Sequence, residues 1–158
     1  MEVSSTRALT IRRIEGGILG NGTDITPDMT PFEAGLSPFV DFDKGDFIGR
    51  AALVEKDKRP CLFGFTCETE TPSAGSLIFD SEVSVGRITA GVPSPTLGLG
   101  VGYVVFNEPG DWVGKALSMQ MPNGTIHVGV VVDLPFFDKQ KEIVRGINKD
   151  IPTRRDNL

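Results

Sequence analysis

The polar side chains whose types and spacing could do chemistry are concentrated in one short stretch, RRIEGGILGNGTD, which carries Arg12, Arg13, Glu15 and Asp24. A carboxylate on a glycine-rich segment can approach a ligand closely, because glycine leaves the backbone free to bend around it. Its two oxygens match the paired N–H donors of a guanidinium or of an aminopyrimidine edge. The plainer reading of the same residues is a surface ion pair between Glu15 and Arg12 or Arg13. Elsewhere the sequence holds no phosphate-binding glycine loop, no Gly-x-Ser-x-Gly nucleophile turn and no histidine-rich metal pattern. No catalytic residue and no metal ligand is therefore assigned.

Cys61 and Cys67 are the only cysteines and His127 the only histidine, a set too small for a zinc site. Both cysteines fall in a segment that alternates like a strand, where six residues span about 20 Å at about 3.3 Å per residue, too far for a disulfide. Two buried, reduced thiols are expected.

The elements that would position these residues are mostly strands. The chain has 19 Gly and 11 Pro in 158 residues, and its apolar pattern has a period of two, which favours short strands joined by tight turns. RPCLFGFTCE, residues 59–68, reads as a half-buried strand with Cys61, Phe63, Phe65 and Cys67 on one face. Leu77 to Phe79 and Val83 to Thr89 flank the turn Asp80-Ser81-Glu82, with Val83 and Val85 on a common face. Gly98 to Phe106 is a continuous apolar run closed by Asn107-Glu108-Pro109-Gly110. Trp112 to Met121 and Thr125 to Val132 flank Pro122-Asn123-Gly124, a hairpin signal. With no helical pattern between them, these runs predict a mainly β (α+β) fold: an antiparallel barrel of about six strands over residues 59–132, preceded by a short helical and irregular segment.

Two helices are expected before the barrel. Thr30-Pro31-Phe32-Glu33 is a capping box with proline at the first helical position, predicting a short helix from Pro31 to near Gly35. Asp46 to Glu55 offers an N-cap aspartate and apolar Phe47, Ala51 and Val54, predicting a second. Beyond Pro135 the composition turns to charge, as expected of a solvated tail.

A net charge of −5 argues against phosphate-driven nucleic-acid binding, and no apolar run approaches the length of a membrane-spanning helix. Cytoplasmic residence is the simplest expectation, with neither nucleic acid nor membrane as partner.

The sequence also resembles a known family. Arg13-Ile14-Glu15-Gly16-Gly17, Gly22-Thr23-Asp24-Ile25 and Thr30-Pro31-Phe32-Glu33-Ala34-Gly35-Leu36 are similar to the R-[LI]-E-x-G, YG-x-D and TP-x-E-x-x-L run of the glycine cleavage T-protein (aminomethyltransferase) family. Asp46 to Leu53 resembles its DFIGR-x-AL helix. Val85 to Gly91 and Ser94 to Leu97 resemble its VG-x-[IV]-TSG and SPTL motifs, Gly102-Tyr103-Val104 the strand that follows, and Pro135-Phe136 the closing P-F. The five segments keep order and spacing over residues 13 to 136. The ending Leu134 to Asp138 with its basic residues leans toward the folate-dependent demethylase-like branch.

This resemblance implies tetrahydrofolate-dependent one-carbon transfer, with Glu15 binding the pterin edge and Lys44 in place of the family's second folate contact. If relatives carry arginine there, lysine keeps the charge and loses the bidentate fork. Asn21 stands where the family has a tyrosine, removing one aromatic wall. The family's catalytic aspartate precedes R-[LI]-E by a long stretch. The expectation is thus a C-terminal fragment or subunit, inactive alone: residues 1–45 a remnant of the folate-binding domain, 46–136 a barrel domain with a leading helix, 137–158 a charged tail. Expected partners are folate, an N-terminal partner chain and further copies of this chain, because Ile14, Ile18, Leu19, Phe39 and Phe42 would lack a covering surface. The alternatives are a non-catalytic barrel binding module and a structural barrel alike in fold alone.

Overall fold

The computed structural model describes residues 5–149. Six strands, β1 (Leu62–Cys67), β2 (Leu77–Asp80), β3 (Val83–Ser94), β4 (Leu99–Phe106), β5 (Ala116–Gln120) and β6 (Ile126–Val132), close into an antiparallel barrel in the order β1-β4-β3-β2-β5-β6. Closure leaves no unpaired edge, because β1 bonds to β4 on one side and to β6 on the other. The β5–β6 hairpin turns at Gly124, whose φ of 87° explains why Asn-Gly stands there. Inside lie Phe63, Phe65, Cys67, Ile78, Ile88, Val104, Phe106, Leu117, Met119 and Val131. Trp112 stacks on Phe106 at the rim with ring centres 4.1 Å apart. It precedes β5, so the expected strand from Trp112 is shorter, beginning only after Gly114 turns the chain.

Three other expectations are corrected. β1 is buried on both faces, because Phe136 returns over its outer side at Gly64. The capping box forms, with Thr30 N–H donating to Glu33 at 2.6 Å and Glu33 N–H to the Thr30 hydroxyl at 3.2 Å. Yet residues 31–35 make only a turn, since Gly35 at φ 72° ends them at once. The second helix, α2, covers just Arg50–Val54, its start set by Gly49 at φ 89° and not by Asp46. It is preceded by α1, Thr6–Glu15.

The sequence reading overlooked α1. Ser5 caps it by accepting the Ala8 N–H, Arg12 and Arg13 fill the last turn, and Gly16 ends it. Its apolar side, Ile11 and Ile14, packs on the outside of the barrel against Val92, Val101 and Tyr103. This is why residues 98–106 read as a continuous apolar run: β4 faces the barrel interior on one side and α1 on the other. Ile14 thus finds its cover within this chain and Leu19 packs beside it, whereas Ile18 and Phe39 remain exposed. Phe42 sits between Phe32 and Phe47, each 6.2 Å away.

A second close contact lies on the outer face of β3 and β4. A methyl group on Gly91, Gly100 or Gly102 would run into the Glu70–Pro72 segment. Beyond the barrel the chain returns to α1, where Phe137 N–H donates to the Glu15 carbonyl at 3.1 Å. Asp138 then caps a mostly exposed turn through Glu142 and Ile143. From residue 150 onward the charged tail lies outside the described residues. Among those described, no helix is long and apolar enough to cross a membrane.

Candidate functional site

Neighbouring residues on a helix project about 100° apart, so Arg12 and Arg13 cannot share a partner at the end of α1. The polar set accordingly divides in two. Arg13 reaches Asp24 at 2.8 Å, and Arg12 reaches Glu15 at 3.3 Å.

The Asp24 half is structural. Its carboxylate is 1% exposed and takes three donors: Arg13 Nη1, the Gly20 N–H at 2.7 Å and the Thr89 hydroxyl at 2.6 Å. Thr89 can face it because β3 bulges there, Ile88 pairing with Val104 and Ala90 with Tyr103 while Thr89 has no partner. Tyr103 completes the joint from below. Its hydroxyl lies 3.1–3.3 Å from the carbonyls of Arg13, Ile14 and Ile18, which share a single proton. Burial pushes the Tyr103 phenol well above its ordinary range, opposed by Arg13 and reinforced by Asp24, so it stays a donor.

The Glu15 half is different. Glu15 is 2% exposed, yet it belongs to the last turn of α1, where the helix dipole disfavours a negative charge. What holds it is the β3–β4 turn. The Ser94 hydroxyl donates to Oε1 at 2.6 Å and the Thr96 N–H to the same oxygen at 3.4 Å. Ser94 is itself oriented by the Leu97 N–H at 3.1 Å. Oε2 has only the long contact to Arg12, whose side chain is 59% exposed. Glu15 lines a shallow pocket of about 160 Å³ with Ala8, Ile11, Arg12, Pro95 and Thr96. The arrangement presents one carboxylate oxygen, already oriented by its twin, to donors that can displace a mobile guanidinium.

Lys44 is not brought to this pocket. It is exposed, with its ammonium 4.7 Å from the Phe47 ring centre. Asn21 is exposed and bridges to Ile25. Glu15 lies on a helix, not on the irregular segment expected. Ser94 and Thr89, overlooked as site residues, stood in the Val85–Gly91 and Ser94–Leu97 motifs; nothing local tells that their hydroxyls face carboxylates far away in sequence. Cys61 and Cys67 are buried free thiols. Among the described residues no cluster of histidine, cysteine and carboxylates is placed to hold a metal.

The profile of the glycine cleavage T-protein C-terminal barrel domain matches residues 61–138. An aminomethyltransferase of Streptomyces coelicolor is 36% identical over 142 residues, covering 82% of this chain and 37% of that protein. One from Halothermothrix orenii is 38% identical over 130 residues, covering 78% and 36%. The crystal structure of the glycine cleavage system aminomethyltransferase T from Bartonella henselae superposes with a TM-score of 0.72 at 30% identity, covering 84% of this chain and 38% of that one. The chain thus spans little more than a third of the length of the relatives it matches.

Proposed function

The chain belongs to the glycine cleavage T-protein (aminomethyltransferase) family, and on that premise we propose that it is the C-terminal part of a tetrahydrofolate-dependent one-carbon transferase, with Glu15 taking the pterin edge. The observation that carries this reading is the buried Glu15 carboxylate, one oxygen fixed by Ser94 and Thr96 and the other turned to a pocket through an exposed arginine. A charge placed against the helix dipole works against local stability, and such departures concentrate at functional sites.

Tetrahydrofolate supplies the acceptor nitrogen for the one-carbon unit. In this chain Glu15 Oε2 would accept an N–H of the pterin edge as Arg12 moves aside, while Ser94 keeps the carboxylate plane from rotating. Lys44, which lies outside this pocket, is given no contact in this reading. The pocket falls below the ~300–1,000 Å³ of sites that enclose a small ligand. The remaining walls would come from chain that residues 1–45 adjoin, and activity of this part alone is not expected. The exposed Ile18 and Phe39 mark where such a partner, or a second copy of this chain, would pack. Residence in the cytoplasm accompanies this reading.

A complete barrel core favours a second reading, a non-catalytic barrel module. Isothermal titration with tetrahydrofolate separates the two. The transferase reading expects a dissociation constant no tighter than roughly millimolar, lost in Glu15→Gln. Binding unchanged in that variant removes Glu15 from the site, and no binding at all favours the module.

A further inference from the structure

Beneath α2, Phe42, Arg50, Val54 and Lys58 line a second pocket, of about 190 Å³, which shares no residue with that of Glu15. Arg50 enters it from the first turn of α2, and its Nη2 makes one long bond to the Phe42 carbonyl at 3.4 Å. Its Nε is buried and has no partner, the only such side-chain atom among the described residues. Buried donors are almost always paired, so an orphaned guanidinium N–H in a pocket wall points to something that completes it.

Lys58 supplies a second cation. Its ammonium donates to the carbonyls of Leu53 and Val54 at the end of α2 and lies 4.5 Å from the Phe32 ring centre and 5.2 Å from that of Phe42. Among the described residues neither Arg50 nor Lys58 has a carboxylate within ion-pair distance. Asp57 and Glu55 stand next to this segment in sequence, but Asp57 is taken by Arg59, and neither forms an ion pair with the two pocket cations. The rest of the wall is apolar, the Phe42 face and Val54.

We infer that this pocket binds the carboxylate of a small apolar acid, its two oxygens taken by the Arg50 Nε edge and the Lys58 ammonium and its body resting on Phe42 and Val54. The planar guanidinium edge suits a two-oxygen anion, and the aromatic floor favours an acid with an apolar body over a bare inorganic ion. The site is independent of the Glu15 reading, since the two pockets have no wall in common.

Benzoate is a suitable probe, and the Arg50 Nε–H resonance reports directly on the orphaned atom. Titration of the full chain should shift that signal saturably, together with the amides of residues 42, 54 and 58. Benzamide, of the same shape without the charge, should leave them in place. Arg50→Lys keeps the charge but removes the Nε–H, and should weaken binding about tenfold or more. Lys58→Gln should also weaken it, and serves with the wild-type signal if Arg50→Lys does not fold. No saturable shift, an equal response to benzamide, unchanged affinity in the variants, or tighter binding of inorganic phosphate would overturn the assignment.

Discussion

Between Leu62 and Val132 the inward side chains are apolar and the backbone bonds close on themselves, whereas the arm from Thr6 to Pro60 has α1, one 3₁₀ turn, Ser37–Phe39, and the five residues of α2. No residue of the barrel core comes from the arm. The arm has no such independence, since Phe39 is 83% exposed and Ile48 fully so. It is joined to the barrel by Ile14 and a few directional bonds: Thr89 to Asp24, Ser94 to Glu15, and Tyr103 to the end of α1. Burial of apolar surface is non-directional, while a hydrogen bond sets both the distance and the angle between two named atoms. The candidate site lies where the second kind of holding dominates.

This contrast can be broken from the barrel side first. Phe65→Ala removes a fully buried ring from the interior and should cost about 3–5 kcal/mol, read as a lower denaturant midpoint for every probe at once. Asp24→Ala should cost about 3 kcal/mol, because it leaves Arg13 with the Ile18 carbonyl and no counter-charge and frees the Thr89 hydroxyl and the Gly20 N–H. Its mark should be regional: faster hydrogen exchange in residues 14–25, with β1, β5 and β6 unchanged. Uniform loss of protection would mean that barrel and arm are one cooperative unit. Tyr103→Phe keeps the ring and removes only the hydroxyl, for about 1 kcal/mol in the same region.

The smallest effect concerns pH. Burial, with Glu33, Glu108 and Asp57 adding to it, pushes the Cys61 thiol from its ordinary value near 9 up to about 11. The unfolded chain releases this proton first, so folding stability should fall as pH rises from about 9 to about 11. Cys61→Ser should flatten that part of the profile measured by chemical denaturation.

What was legible in the sequence follows the same division. Period-two alternation and turn chemistry report local geometry, so the six strands and the Asn123-Gly124 hairpin could be read directly. The arm defeated that reading because its signals compete. The Thr30–Glu33 capping box is present, but Gly35 stops the helix it begins, and Gly49 displaces the start of α2 from Asp46. α1 carries a Ser5 cap and the Ile11–Ile14 spacing, a signal only ten residues long that runs straight into the glycines after Glu15. Glu15 and Asp24 could be singled out by type. Their separation into a pocket-lining carboxylate and a structural one could not, since it depends on Ser94 and on the bulge at Thr89, both far along the chain.

The central claim, that the arm and the β3–β4 turn together form the ligand-facing edge, is tested most directly by hydrogen exchange with and without millimolar tetrahydrofolate. The account predicts slowed exchange confined to residues 8–24 and 94–97, abolished in Glu15→Gln, with β2, β5 and β6 unaffected. Protection that appears instead on β2, β5 and β6, or that persists in Glu15→Gln, would contradict it.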